Sequence, residues 1–224
     1  MKSTSFQLTV SETIGSVSAE LIEADSAIVM ITLAHGAGAG MSHPFMVSLA
    51  NELALQRIST LLFNFPFMEN KKGRPDVPAV AHQTVQAAIT KAQELFPSLP
   101  LFVSGKSFGG RMSSQYLAKA KLDIVKGIIF FGFPLHPAGK PSIERAEHLN
   151  DLKMPMLFLQ GTRDELAEWN LIEEVTTKLP NAILRKIEGA DHAFKAGKQN
   201  LLPTLGQLTK EWISQLSINQ KSHI

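Results

Sequence analysis

The chain contains no cysteine, which excludes disulfides and thiolate metal sites and fits a reducing compartment. No stretch reaches the roughly 18 consecutive apolar residues of a membrane-crossing helix. The opening residues Met1–Gln7 carry no apolar run of signal-peptide length. A cytoplasmic location without a membrane partner is therefore expected. Charge of one sign is also lacking: 22 Lys and Arg face 20 Asp and Glu, a formal net of +2. That balance is too small to argue for nucleic acid, and the densest basic spot, Lys71, Lys72 and Arg74, reads as a solvated loop. There is no internal repeat, low-complexity tract or Pro/Gly/Ser linker. The 224 residues thus read as one domain over 1–224, large enough for a sizeable core and ending in a polar tail over 217–224.

What is present is an alternation of strand and helix signals. Phe6–Val10 and Val17–Glu23 carry β-prone residues around Gly15 and fit an opening antiparallel pair. Ala27–Ala34 is a nearly continuous apolar run, as expected of a strand buried on both faces. Helical spacing follows at Phe45, Met46, Leu49, Ala50, Leu53 and Ala54, with Pro44 in the first turn. Ile58–Phe65 reads as a strand closed by Pro66, and 68–78 as a polar loop. Ala81, Val85, Ile89, Ala92 and Phe96 mark a helix that stops before Pro97. Later strands are expected at 101–106, 124–133, 156–160 and 183–187. Helices are expected after Ser107, around Trp169–Leu179 and over Leu202–Leu216. In the helix after Ser107, Phe108, Met112, Tyr116 and Ala120 read as the inner stripe. This order predicts an α/β fold, a doubly wound, mostly parallel sheet with helices on both faces. Ligands of such sheets bind beyond the carboxyl ends of the strands.

The chemistry-bearing residues fall at those ends. Gly105-Lys106-Ser107-Phe108-Gly109 matches G-x-S-x-G, the strand–turn–helix elbow that presents a nucleophilic serine. A serine needs a base within hydrogen-bond reach, itself oriented by a third group. Asp164, after the strand at 156–160, and His192, after the last core strand, supply an acid and a base in the order Ser107, Asp164, His192. Glu165 is a rival acid, whereas Asp191 is expected to hold its own loop. Backbone N–H donors for a developing oxyanion are expected from Phe108 and from the run His35–Gly40, with Ala37 preferred and Gly38 its neighbour.

Two resemblances to phosphate-binding loops fail on spacing. The P-loop reading of Gly105-Lys106-Ser107 puts Pro100 where its first glycine belongs, and Gly36–Gly40 has Met41 in the third glycine's place. Nucleotide binding is disfavoured, and neither a cofactor nor a metal is expected.

Taken together, the elbow, the His-Gly-x-Gly loop, Gly161-Thr162-Arg163-Asp164 and Gly189-Ala190-Asp191-His192 resemble the α/β-hydrolase superfamily along the whole chain. The similarity is closest to a small dienelactone-hydrolase-like branch that includes bacterial hydrolases, a testis-expressed protein and a subunit of the NSL histone acetyltransferase complex. The segments that carry it are Ala34–Gly38, Gly73–Pro75, Gly105–Met112, Pro134–Pro141, Glu147–Leu149 and Gln160–Asp164. Dienelactone hydrolases usually have cysteine where this chain has Ser107. The resemblance implies a serine hydrolase cleaving an ester or related acyl bond of a small substrate through Ser107, His192 and Asp164. The alternative is a non-catalytic binding protein or complex subunit of the same fold.

His136 and Arg111 are candidate substrate-binding residues. His136 is weighed evenly against a structural role in its loop, and Arg111 against an ion pair bracing its helix. Lys106 reads as solvent-facing or loop-paired, and Trp169 and Trp212 as core. Many relatives insert a lid where 134–153 leaves room only for a short loop, so an open site suited to short acyl groups is expected.

Overall fold

The computed structural model describes residues 1–221, with side chains through Leu216. The expected polar tail over 217–224 lies outside the described side chains. Eight strands form one sheet: β1 (Lys2–Ser11), β2 (Gly15–Glu23), β3 (Val29–Ala34), β4 (Ile58–Phe63), β5 (Leu101–Lys106), β6 (Val125–Phe131), β7 (Met156–Gly161) and β8 (Ala182–Ile187). Their spatial order is β1-β2-β4-β3-β5-β6-β7-β8. The first two pair antiparallel, with Phe6 opposite Ala19 and Leu8 opposite Val17, and β2 meets β4 antiparallel. Every other pairing is parallel. All six residues of β3, β4, β5 and β7 are buried, because helices cover both faces.

Among the described residues the α-helices are α1 (Pro44–Leu55), α2 (Pro66–Glu69), α3 (Pro78–Leu95), α4 (Phe108–Ala120) and α5 (Trp169–Lys178) between strands, and α6 (Leu202–Lys221) after the last strand. The cores on the two sides of the sheet separate by strand alternation. Ile31, Leu33 and Phe102 pack with α1 and with Leu205 and Trp212 of α6. Met30, Val103 and Phe130 pack with α3, α4 and α5.

Two local expectations change. β4 ends at Phe63 rather than Phe65, because Pro66 opens α2 and Phe65 is its extended N-cap. Proline at a first helical turn donates nothing the helix needs, so here it starts an element instead of closing one. On α4, Tyr116 and Ala120 are only half-buried, whereas Ser113, Ser114, Leu117 and Ala118 are buried. A series spaced by four residues drifts off one face of a 3.6-residue helix. In addition, α4 is covered on several sides, by β5, α3 and the 3₁₀ segment Glu144–Asp151. That segment is held to α4 by a 2.7 Å bond between His148 Nε2 and Ser114 Oγ, so it packs as part of the helical layer.

Candidate active site

Ser107 sits between β5 and α4 with φ 52° and ψ −118°, a backbone that a residue with a Cβ adopts only under strain. The close approach of helix to strand explains the glycines around it. A Cβ on Gly105 would lie 2.3 Å from Gly110 N, and one on Gly109 would lie 2.5 Å from Ala34 O. The turn is closed by a 3.1 Å bond from Arg111 N–H to Ser107 O.

Three strand ends converge on this serine. His192 Nε2 lies 2.8 Å from Ser107 Oγ and His192 Nδ1 lies 2.7 Å from Asp164 Oδ2. With a neutral imidazole, Nδ1–H donates to the carboxylate and Nε2 accepts from the serine hydroxyl. The Asp164 side chain is 1% exposed and that of His192 25%, so the carboxylate is sealed and the imidazole opens to the pocket. Asp164 is fixed by two more donors: Gln160 Nε2–H to Oδ2 at 2.6 Å and Leu166 N–H to Oδ1 at 2.8 Å. Gln160 is held in turn by accepting from Phe133 N–H at 2.8 Å. Glu165 is exposed and makes no bond to His192. Asp191 instead ties its own turn, its Oδ1 accepting from Ala193 and Lys195 N–H at 2.9 and 2.8 Å.

The loop after β3 lies against the elbow: a Cβ on Gly36 would stand 3.6 Å from Ser107 Cβ. It is tied at both ends to the corner after β4. His35 Nε2 accepts from Phe65 N–H at 2.9 Å, and Asn64 Oδ1 accepts from Met41 N–H at 2.9 Å. His35 is fully buried and edge-on to Phe65 and Phe67; burial pulls its pKa down to about 4, so it is a neutral strut. The Ala37 N–H takes no partner among the described residues, and Ala37 lines the pocket beside Ser107. Phe108 begins α4, and its ring turns away from the pocket onto Phe65 and Phe67. The pocket has a volume of about 660 Å³ and includes Ala37, Phe45, Met46, Phe194, Leu201 and Leu202 in its walls.

Several expected residues lie elsewhere. His136 is buried and spent on backbone, with Nε2 accepting from Glu168 N–H at 3.1 Å and Nδ1 3.0 Å from Pro137 O. It does not line this pocket: a loop crowded with prolines needs the ring to satisfy its neighbours. Arg111 also lies outside the pocket lining. Its Nε is buried without a hydrogen-bond partner, and no ion pair forms there among the described residues. Lys106 corrects the expectation most sharply, since it is buried against the site rather than facing solvent. Trp212 is core, whereas Trp169 is half-buried under Lys186 Nζ, 5.3 Å from its ring. Sequence pattern assigns no individual role to Gln160, His35, Asn64 or Phe194. A polar residue inside an apolar strand was the available signal for Gln160. Among the described residues no cluster of His, Asp and Glu could hold a metal, and no helix is long and apolar enough to cross a membrane.

A sequence model of the alpha/beta hydrolase domain matches residues 27–217. Among solved structures, a dienelactone hydrolase from Anabaena variabilis superposes with a TM-score of 0.75 at 20% identity, covering 96% of this chain and 97% of that one. An alpha-beta serine hydrolase homologue from Coxiella burnetii gives 0.76 at 20% identity, covering 94% and 97%. A serine hydrolase without lid from Xanthomonas campestris gives 0.73 at 18% identity, covering 96% and 95%.

Proposed function

The chain belongs to the α/β-hydrolase family, and from that premise we propose that it is a serine hydrolase acting on an ester or related acyl bond of a small substrate. The observation that carries the proposal is the unbroken relay Ser107 Oγ–His192–Asp164, at 2.8 and 2.7 Å. Ser107 Oγ attacks the substrate carbonyl carbon while its proton passes to His192 Nε2. Asp164 keeps Nδ1–H pointed away from the serine and stabilises the imidazolium. The oxyanion is received by the N–H groups of Phe108 and Ala37, the second on a loop clamped by His35 and Asn64. Donors fixed before the reaction need no reorganisation, and losing one typically costs roughly 100- to 1000-fold in rate. Collapse of the intermediate expels the alcohol, which takes the proton from His192 and leaves Ser107 acylated. Water then attacks the acyl carbon with His192 again as base, releasing the acid. Short acyl groups suit a pocket that no insertion covers among the described residues.

The test is covalent labelling by a fluorophosphonate together with turnover of short p-nitrophenyl esters. Wild type is expected to label at Ser107, and Ser107→Ala and His192→Ala to abolish labelling while folding normally. Folded wild type that neither labels nor turns over esters would overturn the proposal in favour of a binding protein on the same fold.

A further inference from the structure

Next to the relay lies a group that the reaction as described does not use. The Lys106 side chain runs beneath the pocket from the end of β5, and its Nζ is enclosed without a hydrogen-bond partner among the described residues. A buried ammonium lacking acceptors is costly. Both carboxylates whose charges reach it are committed elsewhere: Asp164 to His192, Gln160 and Leu166, and Asp191 to Ala193 and Lys195. The Phe194 ring lies under it, with Nζ 5.5 Å from the centroid, within the range of a cation–π contact.

Phe194 has its own irregularity. Its φ is 57°, a left-handed backbone that is a genuine outlier for a bulky side chain, and such strain persists only where the surroundings over-determine it. The turn that contains it is cross-tied, with Asp191 O accepting from Phe194 N–H and Lys195 O from Asp191 N–H. On the pocket side, Phe45 of α1 stacks on the Phe194 ring at 5.8 Å with 5° between planes. His192 is part of this same turn. The elbow strand therefore reaches under the pocket to grip the turn that carries its base. One point in space marks the convergence: a Cβ on Gly132 would meet Lys106 Nζ at 3.3 Å, Asp164 Oδ2 at 3.6 Å and His192 Cε1 at 3.7 Å.

We propose that Lys106 and Phe194 are positioning residues, the ammonium over the aromatic face pinning the strained Asp191–Lys195 turn to β5 and so holding His192 Nε2 on Ser107. Its catalytic consequence rests on the serine-hydrolase reading, but the pin itself does not.

The experiment compares wild type with Lys106→Met, Phe194→Leu, Phe194→Tyr and the Lys106→Met/Phe194→Leu double variant. It reads the hydrogen-exchange rates of the Ala193 and Lys195 amides and the second-order rate constant for fluorophosphonate labelling of Ser107. Lys106→Met and Phe194→Leu should each speed the two amides and slow labelling about 30-fold, the scale of a desolvated cation–π contact. Phe194→Tyr, which keeps the π face, should stay near wild type. Because both single variants remove one contact, the double should be no slower than the slower single. A role in stability alone would lower the melting temperature of Lys106→Met and leave the two amides and the labelling rate unchanged; should Phe194→Leu fail to fold, Lys106→Met decides by itself. Unchanged amide exchange, unchanged labelling in the single variants, or losses that multiply in the double would overturn the pin. If wild type does not label but the amides respond, the pin stands and the serine-hydrolase reading falls.

Discussion

At the scale of the residue, Lys106 shows how a position next to an obvious motif can be misread. In G-x-S-x-G the second residue is free by pattern, and a lysine there is by default a solvated one. Burial is set by what packs over the strand end, Phe194 included, and that residue is distant in sequence and carries no signal there. The consequence is a lysine whose pKa burial pushes down to about 8 from 10.5, against the opposing pull of Asp164 and Asp191. Below pH 8 the folded protein carries a buried ammonium that the unfolded chain solvates freely, and this opposes folding. Between about 8 and 10.5 the unfolded state binds the proton and the folded state does not, so stability rises with pH through that window. Lys106→Met should therefore be more stable than wild type at pH 7, by up to about 3 kcal/mol. The gap should close as pH rises from 8 past 10.5, as urea denaturation across that range will report. A variant destabilised at pH 7 would show that the ammonium is better compensated than its surroundings indicate.

At the scale of the element, the motifs were legible because backbone geometry leaves little choice. The elbow needs glycine at 105 and 109 for reasons that can be stated from a strand–helix crossing alone, and the structure supplies the distances. Gly109→Ala would drive a Cβ to 2.5 Å from the carbonyl oxygens of Ala34 and His35. These are backbone atoms at the end of β3 and cannot rotate away. The expected loss is at least about 3 kcal/mol in urea denaturation, the upper end of overpacking, with loss of labelling at Ser107. Gly38→Ala, where nothing lies within 4 Å, should leave stability within about 0.5 kcal/mol of wild type and serves as its control. Local pattern falls short where identity depends on neighbours, as at the end of β4 and at His136, whose two readings it leaves equal. Pro66 opens α2 because Phe65 N–H is captured by His35, thirty positions away. His136 turned inward because Glu168 N–H needed an acceptor. Neither partner is deducible from local pattern.

Across the whole molecule, the strand order was legible only as a class, since alternation gives parallel crossovers but not which strands lie beside which. What the sequence could not display is that two of its seams are closed by neutral histidines. His35 ties the β3 loop to the corner after β4, and burial holds its pKa at about 4 against an ordinary 6.5. His148 ties the 3₁₀ segment to α4, with its pKa also lowered to about 4, by burial first and then by the Arg111 charge. As pH falls from 6.5 to 4 the unfolded chain takes up protons at both sites and the folded chain does not, so stability falls across that window and levels off below it. His35 accounts for about 3 kcal/mol of that loss. His148, which is only half-buried, contributes less because solvent screens it. Set against the 5–15 kcal/mol typical of a domain, the two together bring unfolding within reach at about pH 4 without any carboxylate being invoked. Urea midpoints measured from pH 7 to 3.5 should show this decline. His148→Gln, which removes one titration, should flatten part of it, and a decline of wild-type size in that variant would place the acid sensitivity elsewhere.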